Sequence, residues 1–190
     1  QNLLSQSSVC FDTETTSLDP LEAQLIGLSF CYEKNKAYYV HVPEGEEKSI
    51  AKEFNAFFQN KSIEKIAQNL KYDYKVMAMH GIQIAGPYFD TMLAHYLLEP
   101  DQRHNMDAMS QNYLNYTPIS IETLIGKKGK AQLSMRSAPL DKVSDYACED
   151  ADVTFQLKQL FQTELEDTKL LMVLNEIEMP LIPVLSDMEI

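Results

Sequence analysis

Residues 9–18 read Val9-Cys10-Phe11-Asp12-Thr13-Glu14-Thr15-Thr16-Ser17-Leu18. Apolar residues that suit a buried strand run directly into two carboxylates at i and i+2. Successive side chains of a strand point to opposite faces, so Asp12 and Glu14 project from the same one. Two anions held that close repel and raise each other's pKa unless a cation sits between them. A divalent-metal site accounts for the pair most simply. The plain alternative is a solvated Asp-x-Glu at a strand end, since acidic patterns this short also arise by chance. The surrounding Thr and Ser residues add hydroxyls and turn propensity without bulk, which leaves the carboxylates accessible.

The flanking chain supplies a sheet for such a strand. Residues 25–32 are dense in apolar side chains and predict a central second strand. Lys34-Asn35-Lys36 turns the chain into a third strand over 37–42, making an antiparallel hairpin. Ile50, Phe54, Phe57 and Phe58 recur at helical spacing, which predicts an amphipathic helix over 50–59 and favours core packing over a base-stacking platform. Residues 65–68 predict a fourth strand, followed by a helix over 70–80 with Asn69 as N-cap and Gly81 as its stop. A short strand within 82–89 leads to a helix capped by Asp90, which ends near Leu98 ahead of Pro100. A further helix is expected from 104 or 105 through 112. A loop with Pro118 and the basic run Gly126-Lys127-Lys128-Gly129-Lys130 follow, then a long helix over about 140–165. Residues 178–185 are apolar and read as the opening of a new segment.

With 190 residues and 45% apolar content, the chain suits one well-packed α/β domain. No apolar run approaches the roughly 20 residues that span a bilayer, so no membrane partner is expected. Residues 1–7 are polar, read as a lead-in, and lack the pattern of a signal peptide. Cys10, Cys31 and Cys148 lie far apart and read as reduced thiols. A formal charge of −12 argues against a general nucleic-acid coat, because phosphate binding favours Lys and Arg. It leaves room for a small site where metal ions neutralise protein and substrate together. His41, His80, His95 and His104 show no ligand spacing, and Lys127, Lys128 and Lys130 suit either phosphate contact or a solvated loop.

Two further acids join the first pair. Asp73 lies about one turn into the helix after the fourth strand, and Asp150 lies in the long late helix. Tyr146 stands at i−4 from Asp150, which puts phenol and carboxylate side by side on one helix face. Four converging carboxylates would suit two hard cations, Mg²⁺ or Mn²⁺, with Zn²⁺ as a further candidate. Two such ions about 4 Å apart stabilise both the attacking and the leaving oxygen of a phosphoryl displacement. Tyr146 would then orient the attacking water. By spacing alone, an ordinary packed tyrosine is the better reading of Tyr146, and Asp73 also fits a first-turn acid facing the helix dipole. Asp152 reads as a supporting or solvated acid.

Asp12-Thr13-Glu14, Asn69-Leu70-Lys71-Tyr72-Asp73 and Tyr146-Ala147-Cys148-Glu149-Asp150 resemble the three exonuclease motifs of the DEDD superfamily, in its tyrosine-containing branch. Above all they resemble the 3′–5′ proofreading domain of family A bacterial DNA polymerases, and the resemblance extends over essentially the whole chain. Phe89-Asp90-Thr91-Met92 and Glu178-Met179-Pro180-Leu181 are similar to that family too. The resemblance implies a ribonuclease-H-like fold, a central mixed sheet flanked by helices, acting on single-stranded or frayed DNA 3′ ends. It implies Asp12, Glu14, Asp73 and Asp150 as metal ligands and Tyr146 as the residue that orients water. Leu18 falls at an apolar wedge position, Gln68, Asn69 and Tyr72 at single-strand contacts, and Ile121 near a second wedge. It also implies an exonuclease domain over 1–175, the start of a polymerase region over 176–190, and a bacterial cytoplasmic, nucleoid-associated setting. Competing readings are an RNA-trimming exonuclease of the ribonuclease D type and a silent module that scaffolds a polymerase region.

Overall fold

The computed structural model describes residues 2–129 and 131–190. Lys130, the last residue of the expected basic loop, lies outside the described residues. The chain builds a five-stranded sheet in the order β3-β2-β1-β4-β5. Its central strand, β1 (Ser8–Thr15), is the one that carries Asp12 and Glu14. On one side, β2 (Leu25–Glu33) pairs with it antiparallel, and β3 (Lys36–His41) closes the hairpin. On the other, β4 (Glu64–Ala67) and β5 (Tyr88–Asp90) run parallel. The sheet is therefore mixed, as the motifs implied. β2 is buried over nearly all its length, which matches its apolar density. Glu14 lies opposite Gly27 of β2, where the Tyr39 ring covers the backbone so closely that a Cβ would collide with the phenol.

The predicted helix over 50–59 is two pieces, α1 (Glu47–Glu53) and α2 (Asn55–Phe58), broken at Phe54. Tertiary packing accounts for the break. Phe54 stacks on Phe30 of β2 at 5.0 Å between centroids, while Phe58 meets Phe11 edge-on at 5.1 Å. These rings are core, and each fully buried one contributes about 1.5–3 kcal/mol. α3 (Leu70–Met79) follows β4, and α4 (Thr91–Leu98) follows β5. α5 (Met106–Met109) runs on into a π-helical turn, Ser110–Leu114, which Asn115 ends at φ 51°. The expected helix to residue 112 is thus present with a change of pitch that spacing could not show.

After the short α6 (Glu122–Ile125), the 28-residue α7 (Leu140–Asp167) crosses β1, β2 and β3 and packs on α4. Ala147 and Ala151 are fully buried, and their small side chains let the helix approach the sheet closely. α8 (Leu171–Val173), a π-helical turn (Leu174–Glu178) and α9 (Met179–Glu189) complete the chain. Met179, Ile182 and Ser186 of α9 are buried against α3 and β5. Glu189 pairs with Lys71 at 2.6 Å and Lys75 at 2.5 Å. Among the described residues no helix is long and apolar enough to cross a membrane.

Candidate active site

The end of β1 and the middle of α7 bring Asp12, Glu14 and Asp150 together, with one carboxylate oxygen from each lying within 4.8 Å of the others. Glu14 and Asp150 are buried and Asp12 is half-buried. Glu14 Oε1 is buried and has no hydrogen-bond partner. Such an orphaned charged oxygen is costly unless a ligand answers it. Burial is the main reason that all three carboxyls are pushed up, Asp12 to about 7 and Glu14 and Asp150 well above the usual range. For Glu14 the Asp12 and Asp150 charges add to burial; for Asp150 the Asp12 charge adds, while the nearby Tyr146 hydroxyl works the other way. Three gathered carboxylates, one of them with an orphaned oxygen, fit a hard divalent cation that would neutralise them.

Asp73 stands apart from that group. Its Oδ1 accepts from the Thr13 hydroxyl at 2.6 Å and from the Thr13 N–H at 3.2 Å. Burial and the Asp12 charge raise its carboxyl, and the Thr13 bonds oppose them. The four expected ligands therefore form a group of three with a fourth beside Asp12, rather than a single knot. Tyr146 is half-buried beside Ile26, Ile125, Met135 and Val143. Burial and the Asp150 and Glu14 charges push its phenol up, so it stays neutral at physiological pH and can both donate and accept.

The expected strand-contact residues are used unevenly. Leu18 is 87% exposed just beyond β1, free to meet another molecule. Tyr72 donates to Ser17 O at 2.6 Å and lies 2.5 Å from Thr15 Oγ1, so it fixes the backbone on which Leu18 sits. Gln68 has partners within the protein for its amide. Nε2 donates to His104 O at 2.8 Å, and Oε1 accepts from Thr91. Asn69 takes the expected N-cap position of α3, but its side chain makes no cap bond, and its φ of 61° explains the residue type, since Asn tolerates that conformation. Ile121 is exposed just ahead of α6.

Several acids do more than spacing revealed. Asp90 caps α4 as expected, accepting from Met92 N at 2.8 Å and Leu93 N at 3.3 Å. It also caps α3, accepting from Leu70 N at 2.8 Å and Asn69 N at 3.2 Å. Glu149 accepts from the Tyr116 hydroxyl and from Ile119 N–H, tying α7 to the segment before α6. Asp152 accepts from Asn35 N at 2.6 Å and so anchors the β2–β3 turn. The sequence marks it only as a supporting or solvated acid and names no partner. His95 and His104, scattered in sequence, meet with Nδ1 atoms 2.7 Å apart.

Residues 1–166 match the family described as 3′–5′ exonuclease. The chain belongs to that exonuclease family. DNA polymerase I of Borreliella burgdorferi is 34% identical over 194 residues, covering 100% of this chain and 21% of that protein. DNA polymerase I of Pseudomonas aeruginosa is 37% identical over 193 residues, covering 95% of this chain and 21% of that protein. The chain thus spans about a fifth of the length of these curated relatives. A structure of Brucella melitensis NrnC with bound Mg²⁺ superposes with a TM-score of 0.74 at 19% identity, covering 97% of this chain and 86% of that one. That likeness shows the ribonuclease-H-like exonuclease fold.

Proposed function

We propose that this exonuclease domain removes nucleotides from DNA 3′ ends by cation-dependent phosphodiester hydrolysis, as the proofreading unit of a DNA polymerase I-type chain. The observation that carries the reading is the gathering of Asp12, Glu14 and Asp150, buried and with Glu14 Oε1 unanswered, in a chain of the 3′–5′ exonuclease family. Asp12, Glu14 and Asp150 would hold one divalent cation, Mg²⁺ or Mn²⁺, and Asp73 with Asp12 a second. Bound cations supply positive charge for the attacking and leaving oxygens of the phosphodiester. The neutral Tyr146 phenol orients the attacking water by accepting a hydrogen bond from it, and burial, with the charge of Asp150 beside it, keeps the phenol protonated. Leu18, exposed at the site's edge, contacts the terminal bases, and Tyr72 keeps Leu18 in place.

The curated relatives above are DNA polymerases, which supports DNA as substrate and a polymerase region in the same longer chain, with residues 176–190 leading towards it. The same relatives support a bacterial cytoplasmic setting. The test is incubation with 5′-labelled single-stranded DNA and RNA in Mg²⁺, Mn²⁺ or EDTA. Stepwise shortening of DNA in either metal and none in EDTA is expected. Hydrolysis that persists in EDTA, or RNA degraded faster than DNA, would overturn the proposal.

A further inference from the structure

Strand β1 offers its two faces to two different helices. Asp12 and Glu14 turn to Asp150 of α7. Thr13, between them and 7% exposed, reaches instead to Asp73 in the first turn of α3, 60 residues on. Thr15 repeats the pattern one step along, meeting Tyr72. Alternate residues of the strand thus grip consecutive residues of the helix, as a period-two strand against a helix turn allows.

The two grips differ in chemistry. Thr15 ties hydroxyl to hydroxyl, whereas Thr13 binds an acid that is 2% exposed and lies within the field of Asp12. Both Thr13 donors fall on the same oxygen, Oδ1. Among the described residues, no hydrogen bond reaches Oδ2. A carboxylate fixed by one oxygen has its rotation about χ2 set, and the other oxygen is left to a ligand. Partners of this kind orient metal ligands and raise their effective affinity.

We propose that Thr13 is a positioning residue for Asp73: its hydroxyl fixes Oδ1 and leaves Oδ2 as a ligand for the second of two cations. The inference rests on the exonuclease reading above. It makes the two cation sites unequal, because the group of Asp12, Glu14 and Asp150 owes nothing to the Thr13 hydroxyl. The remaining bond from the Thr13 N–H keeps Asp73 partly answered when that hydroxyl is lost, so a Thr13→Val protein still folds.

Mn²⁺ titration calorimetry of the 190-residue chain tests this, on wild type, Thr13→Val, Thr13→Ser and Thr15→Val, each checked by a thermal melt. Thr13→Val is expected to weaken one class of site by about 10–100-fold and to leave the other within about twofold. Thr13→Ser, which keeps the hydroxyl, restores both. Thr15→Val loosens the same strand–helix contact without touching a carboxylate and leaves Mn²⁺ binding as in wild type. Unchanged binding in Thr13→Val, equal weakening of both classes, or an equal loss in Thr15→Val would each overturn the inference. Hydrolysis by the wild type is scored separately. A Thr13→Val loss confined to one class, in a chain that does not cut DNA, would sustain the positioning role and sink the activity.

Discussion

Asp90, at the end of β5, accepts hydrogen bonds from four backbone N–H groups, whereas Glu14, at the end of β1, has a buried oxygen that accepts none. Both acids are buried on strands of one sheet. Burial pushes Asp90 up only to about 6, because the four donors hold it down. No such donors hold Glu14 down, and its acidic neighbours drive it further up. The difference separates two uses of a buried carboxylate. Where the protein supplies the donors, the acid is architecture, here joining the starts of α3 and α4. Where it withholds them, as at Glu14, the acid is left for the cation of the proposed reaction.

The largest effects should come from the unanswered group. Asp12→Ala is expected to abolish hydrolysis of single-stranded DNA while leaving the circular dichroism of the folded protein intact. A folded Asp12→Ala protein that cuts at the wild-type rate would erase the distinction between the two regions. Next comes Tyr146→Phe, which keeps the ring and removes only its oxygen. Its single-turnover rate should fall by at least about 10²-fold, with Mn²⁺ affinity unchanged. A wild-type rate would return Tyr146 to a packing role.

The same substitution type should then carry opposite signs at the two acids. Asp90→Asn puts an amide among four N–H donors and is expected to cost about 3 kcal/mol. At about 2–4 °C per kcal/mol this lowers Tm by roughly 6–12 °C, with or without metal. Asp12→Asn should raise Tm in EDTA by a few degrees at pH 8. The folded Asp12 carboxyl titrates at about 7 against 3.8 for its ordinary value. Between those values the native state keeps a proton that the unfolded chain has released, so rising pH removes stability until about pH 7. The Asp12→Asn advantage in EDTA therefore grows from about pH 4 to about pH 7 and then levels off. Saturating Mg²⁺ should reverse it, since only the wild type gains fully from binding. Melts at pH 5 and pH 8, in EDTA and in Mg²⁺, decide the sign at each acid.

What could be read in the sequence was whatever repeats with a local period. The alternation around Asp12 and Glu14, the apolar run at 25–32 and the i, i+4 pair Tyr146–Asp150 each declare their element and face. The break at Phe54 depends on a ring stacked across from Phe30, and the π-helical turn at Ser110–Leu114 on a change of pitch with no composition signal. Gln68 was legible as a polar residue at a strand end, but its partners His104 and Thr91 are set by the fold. Asp90 showed one cap through spacing and hid the other, because Leu70 lies 20 residues away. Thr13 was visible only as a spacer between two acids, since its partner Asp73 is 60 positions downstream.

The gathering of Asp12, Glu14 and Asp150 also sets a clock. Asp12 and Glu14 are made more than a hundred residues before Asp150. At 5–20 residues per second, roughly 7–27 s of synthesis separate them. Through that interval the nascent chain carries two of the three gathered carboxylates and cannot complete the proposed cation site. On the proposed reading, hydrolysis is thereby withheld until α7 has emerged and docked across the sheet, so folding is itself the safety catch.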